Sequence, residues 1–456
     1  MRIVTATVVA LTLTASAGPA AGASRPGPPG TDGVWRMDGY GTVLTLGGGV
    51  LQEYQTTSVG CVKGDSSRQT GPGTYTTTDG TVLTVRIVHD RDHATLAADS
   101  SAGHRGLRRI AALPADCTRV LSDDPRTAFD VFWRTFEENY PFFAAKGVDW
   151  HAVRDRYRPQ VHQDTTRTEL FDLFSRMVRP LHDAHVGIKD GDRVFSSVRP
   201  GTEMPSVELD ARVKKFVVAR DLKDASHRQD FARGRITYAD LPGDQGYLRI
   251  SGFGGYAGEG APYSAEQAEL DRVLNTVLTP GRGARLKGLI IDLRINGGGS
   301  DTLGIRIARR LTDTAYVAYS KRARNDPADP TRHTRPEPVS VVPADAPRYA
   351  GPVAVLTGGS TVSAGETFTQ ALLDRPGRTV RIGQATQGVF SDVLLRYLPD
   401  GILFGLPNEE FLTRTGRTFD GTGIPPHLTE PVFTEKEFTK GRDSAFDRAV
   451  NTLPAA

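Results

Sequence analysis

The sequence predicts an α/β protein with a small antiparallel β-domain ahead of it. Two apolar runs, "GLIIDLR" (288–294) and "PVAVL" (352–356), are near-continuous in the way that a strand covered on both faces requires. Each leads into a glycine-rich turn that opens a helix, the strand–turn–helix order of α/β folding. From Val34 to about Leu121 the texture is different. Short alternating pieces such as "TVLTL", "TYTTT" and "TVLTVRIV" are separated by glycine or Asp-Gly turns, which reads as an antiparallel β-domain.

Taken in chain order, "SRPGPPGTDG" (24–33) is a Pro/Gly linker and residues 34–121 form the β-domain. A helical segment follows over 122–190. Asp123 and Asp124 precede Pro125, and Phe129, Phe132, Phe136 and Tyr140 recur at three- and four-residue spacing, so a capped amphipathic helix is expected. Further helices are expected at about 149–158 and 168–181, and then "HDAHVGI" is a polar turn feeding a strand. Residues 191–456 form the α/β core, with a strand at 246–251 and a helix at 264–278. A second helix opens at "NGGGSD", with Leu303, Ile307 and Leu311 on one face, and a third covers "AGETFTQALLD".

The first residues, "MRIVTATVVALTLTASAGPAAGA", carry one positive charge, an apolar stretch from Ile3 to about Ala15, and Ala21-Gly22-Ala23 before Ser24. They read as a secretory signal peptide over 1–23. No segment approaches the ~20 apolar residues of a membrane span, so an exported protein with no membrane span is expected. The net charge of +3 over 456 residues is not gathered into basic blocks and gives no footprint for nucleic acid. Cys61 and Cys117 are the only cysteines, and neither has a Cys or His at ligand spacing. In an oxidising compartment they read as one structural bridge, Cys61–Cys117.

The chemistry must lie elsewhere. The turns "NGGG" (296–299) and "TGGSTVS" (357–363) both lead into helix N-termini, whose unpaired N–H groups can hold an anion. A dinucleotide loop fails on spacing, because Thr302 stands where a glycine is needed, and no Gly-Lys-Ser/Thr phosphate loop is present. Ser363 stands at the N-cap of its helix, where a serine serves as a cap or as a nucleophile. The lipase-type elbow is not matched, since Thr361 replaces its first glycine. "HDAH" does not read as a metal site, because His182 and His185 would point to opposite faces of a strand. No metal and no cofactor are expected.

"GLIIDLRINGGG", followed by "PVAVL" and "SAGE", resembles the tail-specific (C-terminal-processing) serine peptidase family. "ENYPFF...VDWHAVRDRY", "LHDAHVGI", "GYLRISGF" and "DGTGIPPH" extend the resemblance from about Asp124 to the C-terminus. It implies a crotonase-like α/β core and a peptide or protein substrate. It makes Ser363 the nucleophile, with Glu366 closing the S-x-x-E motif. The amides of Ala364 and Gly298 become the oxyanion hole, within the Gly297–Gly299 loop. Glycine there lets two backbone donors come close to a tetrahedral oxyanion.

One branch of the family uses a lysine base, and here Val389 occupies its position; no lysine lies between Lys321 and Lys436. The other branch, which includes the tricorn core protease, takes a histidine from a D-x-H motif, matched by Asp183-Ala184-His185. Ala184 stands where that branch has a relay serine. Its acid is a glutamate before G-x-G-[VI]-x-P, and here Asp420 precedes "GTGIPP". The resemblance therefore implies Ser363, His185 and Asp420 as catalytic residues of a secreted serine peptidase. The lysine branch's PDZ-like module is not recognisable between Asp190 and Gly246. Two rivals stand beside this reading: a non-catalytic protein that binds hydrophobic ligands on the same fold, and an esterase of α/β-hydrolase order using Ser363, Asp400 and His427.

Overall fold

The computed structural model describes residues 30–88 and 90–454. The expected signal peptide and residues 24–29 of the linker lie outside the described residues.

The β-domain is a closed barrel of eight antiparallel strands in simple up-and-down order. They are β1 (Gly33–Met37), β2 (Thr42–Gly47), β3 (Val50–Thr56), β4 (Cys61–Gly71), β5 (Thr74–Thr76), β6 (Val82–Ile87), β7 (His93–Ala98) and β8 (Arg105–Ile110). Strand β8 closes on β1, with Met37 opposite Leu107 and Val34 opposite Ile110. Closure removes the free edges that an open sheet would expose. Trp35, Leu44, Leu51, Tyr75, Leu96 and Leu107 fill the interior. Cys61 and Cys117 are joined by a disulfide, which ties the start of β4 to the turn after β8.

Helix α1 (Pro125–Asn139) begins at Asp124, whose carboxylate accepts the N–H groups of Arg126 and Thr127. After α2 (Phe143–Lys146), α3 (Trp150–Tyr157) and α4 (Arg167–Val178) comes the hairpin β9 (Gly187–Asp190) and β10 (Arg193–Ser196). The boundary expected between 190 and 191 falls inside this hairpin. Strand β9 also pairs with a strand far down the chain, Leu403–Pro407. Phe132, Phe136 and Phe174 pack on Ile188, Phe404 and Leu406, so helices and sheet share one core. Pairing across some 200 residues leaves no local trace, which is why the sequence shows only the helical texture there.

The central sheet comprises β11 (Ser226–Phe231), β12 (Ile236–Leu241), β13 (Gln245–Ile250) and β14 (Gly288–Asp292), and then Val353–Thr357, Thr379–Gly383 and Leu428–Thr429. It is antiparallel as far as β13 and parallel beyond. Alternation along β14 decides which helices cover which face. Leu289 and Ile291 face α6 (Tyr263–Val277) and the helices Asp301–Ala308 and Ala364–Ala371. Ile290 faces α5 (Val207–Arg220) and the C-terminal helix Ser444–Thr452. At the end of β14, fully buried Arg294 is paired with Asp292 at 2.7 Å and Asp443 at 2.6 Å. A charge this deep is tolerated only when paired, and the pair ties the strand to the C-terminal helix. Among the described residues no helix is long and apolar enough to cross a membrane.

Candidate active site

Two parallel strands end side by side and build one half of the site. Strand Val353–Thr357 turns through Gly358 and Gly359 into Ser360–Thr361, then Ser363, then helix Ala364–Ala371. Strand β14 turns into Ile295–Asn296, which pairs parallel with Ser360–Thr361, and then into the glycine loop. Asn296 is fully buried and fastens that loop: its Nδ2 donates to the Ile250 carbonyl at 2.8 Å, and its Oδ1 accepts the Gly298 N–H at 3.0 Å.

Ser363 has φ 54° and ψ −119°, a conformation that an L-residue pays ~1–3 kcal/mol to hold. Its neighbours hold it there. Its N–H donates to Glu366 Oε2 at 3.2 Å, and the Glu366 N–H donates back to the Ser363 carbonyl at 2.7 Å. Gly298, at φ 80°, lies so close that a Cβ on it would stand 2.6 Å from Ser363 Cβ and 3.2 Å from Oγ. Among the described residues nothing accepts the Ala364 N–H, at the first turn of the helix, whereas the Gly298 N–H is engaged by Asn296. Gly297 donates to the Ser251 carbonyl at 3.1 Å. Gly299, at φ 126°, packs on the Phe253 carbonyl, where no side chain would fit.

The other half is assembled from separate loops. His182, at φ 47°, ends the turn after α4. Asp183 Oδ1 accepts the His185 N–H at 3.0 Å, and Oδ2 accepts from Tyr140 Oη at 2.8 Å. Asp183 therefore shapes the turn, while the His185 ring lies against the backbone of Ser391 with Nδ1 buried and unpaired. Burial pulls the imidazole below its ordinary pKa, against the opposing pull of Asp183 and Asp392. Lys146, on α2, reaches within 3.9 Å of Asp183.

Asp420 is buried, and its oxygens accept from the Phe390 N–H at 3.2 Å and Thr418 Oγ1 at 2.7 Å. Burial pushes its carboxyl well up, and Asp183 and Glu366 push the same way. No hydrogen bond joins His185 to Ser363 or to Asp420 among the described residues. What connects them is the segment 386–392, "TQGVFSD". Its Gly388 and Val389 N–H groups donate to Glu366 at 2.6 and 2.8 Å, its Phe390 N–H to Asp420, and its Ser391 backbone meets His185. Glu366, fully buried, is pushed up to about 7 by burial, against these donors. Val389, at the position of the other branch's lysine, is buried and contributes only its amide.

The esterase constellation does not assemble. Asp400 sits in the turn before Leu403–Pro407, its carbonyl held by Arg167, while exposed His427 accepts the Arg381 N–H at 3.1 Å at the far edge of the central sheet. Lys146 and Asp392 carry no local signal in the sequence, and Asn296 stands there only as the first residue of the NGGG turn. Asn296 directly before the glycine run was the one local signal available.

Residues 244–429 match the model of peptidase family S41, and residues 122–179 match the tricorn protease C1 domain. Ser363, Glu366, the glycine loop and Asp420 fall inside the first match, and His185 falls between the two. No curated protein matches the chain. A structure designated "putative peptidase from Parabacteroides merdae" is similar at 25% identity and a TM-score of 0.60, over 73% of this chain and 97% of that one. Mature CPAF shares the fold at 13% identity and a TM-score of 0.52, over 72% of this chain and 96% of that one. Behind its antiparallel barrel, the chain carries a serine peptidase domain of family S41 over residues 244–429.

Proposed function

We propose that the protein is a secreted peptidase that cleaves peptide bonds through an acyl-enzyme on Ser363. Ser363 Oγ attacks the scissile carbonyl while His185 takes its proton, and the protonated imidazole then gives that proton to the departing amine. Water, activated by the same histidine, releases the acyl group. The free Ala364 N–H faces the forming oxyanion, and the Gly298 N–H joins it by sharing with, or leaving, Asn296 Oδ1. Asp420 orients the base through the segment it holds at Phe390. The crotonase-like assignment of the core belongs to this reading, as does the division into barrel, helical segment and peptidase core. Secretion is supported by the N-terminal segment 1–23 and by the disulfide.

The observation that carries the reading is Ser363 itself. A non-glycine residue held at positive φ, pinned by a buried glutamate and beside an uncommitted helix amide, supports a nucleophile at this helix start beyond the capping box that Ser363 makes with Glu366. A ligand-binding protein would have no use for that strain. The test is a fluorophosphonate probe on the mature protein, with the label mapped by peptide mass. Label on Ser363 and none on Ser363→Ala is expected. Peptide cleavage that persists in Ser363→Ala would overturn the assignment.

A further inference from the structure

We propose that the barrel turn Asp99–Arg105 is a working part of the catalytic apparatus: by gripping Asp392 it fixes the Gly388–Asp392 segment against His185. Asp392 is then a positioning residue for the reaction. This rests on the Ser363–His185 reading above.

The turn joins β7 to β8 and touches both halves of the site. On the glycine-loop side, Ser300 Oγ donates to the Ser100 carbonyl at 2.6 Å and Thr302 Oγ1 to the Asp99 carbonyl at 3.3 Å. Those residues begin the helix directly after Gly297–Gly299. On the histidine side, Ser101 Oγ donates to Asp392 Oδ2 at 2.5 Å and Arg105 to the same oxygen at 3.4 Å. Asp392 directly follows Ser391, whose backbone meets the His185 ring.

Lys321 locks the arrangement. Its Nζ donates to the Ala102 carbonyl at 3.0 Å, to Asp392 at 3.3 Å, and pairs with Glu409 at 3.2 Å. Two of the ammonium's three protons are hydrogen-bonded, one to the barrel turn and one to the catalytic segment, and Glu409 of the core balances its charge. The Lys321 side chain is only 7% exposed, so each of these partners is needed to offset its desolvation. Tyr40, also from the barrel, donates to Glu409. Ser391 Oγ accepts the N–H groups of Asn408 and Glu409 at 3.1 and 3.0 Å, which seats the segment from its other side. The charged groups around Asp392 are thus Arg105 from the barrel, Lys321, Glu409 and Asp301 from the core, and His185.

The test uses the full mature chain, with kcat and KM on a peptide substrate normalised to fluorophosphonate-titrated active sites. Asp392→Asn, and separately Ser101→Ala combined with Arg105→Met, should lower kcat about 10- to 100-fold with little change in KM, the cost of a displaced catalytic group. Losing the Asp392 charge also removes a stabiliser of the imidazolium, so the acid limb of Asp392→Asn should move to lower pH. Arg105→Lys with Ser101 intact keeps a cation beside Asp392 and should lose less kcat than the double variant. A loss of fold alone would lower the number of titratable sites and leave kcat per site unchanged. If Asp392→Asn does not fold, the barrel double variant decides. Wild-type kcat per site in that variant would overturn the inference while leaving Ser363→Ala inactive. An active Ser363→Ala would instead remove the reading beneath it.

Discussion

Ser363 and Gly298 ride on the ends of neighbouring parallel strands, whereas His185, Asp392 and Asp420 arrive on three loops that precede or lie between strands of different sheets. The first pair is held by many redundant sheet bonds and by side chains packed to zero exposure. The second set is held by polar contacts alone: backbone amides on the buried carboxylates of Glu366, Asp420 and Asp183, and the side chains of Ser101, Arg105 and Lys321 on Asp392. The nucleophile side should therefore fail through steric change, and the histidine side through change of charge or hydrogen bonding.

The strongest way to break the comparison is to delete a member of each half. Ser363→Ala and His185→Ala should each cost on the order of 10⁴-fold or more in kcat/KM, and the double variant little beyond either, because members of one unit are not additive. Steady-state kinetics on a peptide substrate would show it. A His185→Ala enzyme acylated at the wild-type rate would sever the histidine loops from the chemistry.

The same asymmetry decides what was legible in the sequence. The proposed nucleophile half lies within two contiguous stretches, and it is their resemblance to the tail-specific peptidases, not apolar runs and glycines alone, that brings Ser363, Glu366 and Gly298 together. The barrel was legible as antiparallel β from alternation and turns, but its closure of β8 on β1 depends on register, which alternation does not fix. Asp392 could not be singled out, because an aspartate before an alternating strand looks like an ordinary turn residue. Its meaning comes from Ser101, Arg105 and Lys321, up to 291 positions away.

A purely steric insult sharpens the nucleophile side. Gly298→Ala would place its methyl 2.6 Å from Ser363 Cβ at φ 80°, so the loop must move and the oxyanion geometry with it. A loss of roughly 100- to 1000-fold in kcat is expected, with the thermal midpoint lowered far less than proportionately. Kinetics and a melting curve on the same preparation check both.

An isosteric polar change tests the joint between the two halves, since Glu366 holds both Ser363 and the 386–392 segment. In Glu366→Gln one acceptor oxygen becomes an NH₂ facing a backbone N–H, since Oε1 receives Gly388 and Oε2 receives both Val389 and Ser363. Leaving a buried donor unpaired costs ~1–3 kcal/mol. Activity should fall by about 10- to 100-fold, the range of that penalty. The variant also carries a pH signature. Glu366 holds its proton up to about 7 in the fold but only to about 4.5 when unfolded, so wild-type stability from this group declines as pH rises between those values. Glu366→Gln should lack that decline in chemical denaturation across the same window.

Titration of His185 gives a smaller effect. Burial lowers its folded pKa below 6.5, and a base must be neutral to accept a proton, so the acid limb of kcat/KM should have its midpoint below 6.5. For stability the sign follows from the unfolded chain taking the proton first. As pH falls from 6.5 toward the folded value, stability from this group is lost, and His185→Gln should lose none there. An acid limb centred above 6.5 would mean that some other group carries the base role.

The smallest effect on catalysis is expected from the disulfide, although its effect on the barrel is not small. Cys61–Cys117 spans 56 positions and fastens the turn after β8 to the start of β4. In the chain-entropy picture a loop of that size contributes ~3–4 kcal/mol. Neither cysteine is among the residues that hold Asp392, Ser300 or Lys321, so the grip of the Asp99–Arg105 turn does not run through the bridge. Replacing both cysteines by alanine should therefore lower the barrel's unfolding midpoint markedly. It should leave kcat per titrated site within about twofold at temperatures where the barrel stays folded. Thiol counting under denaturation should find none in the wild-type protein. A variant with intact barrel signal by near-ultraviolet circular dichroism but strongly reduced kcat would show that the grip on Asp392 depends on the whole barrel and not on the one turn that makes it.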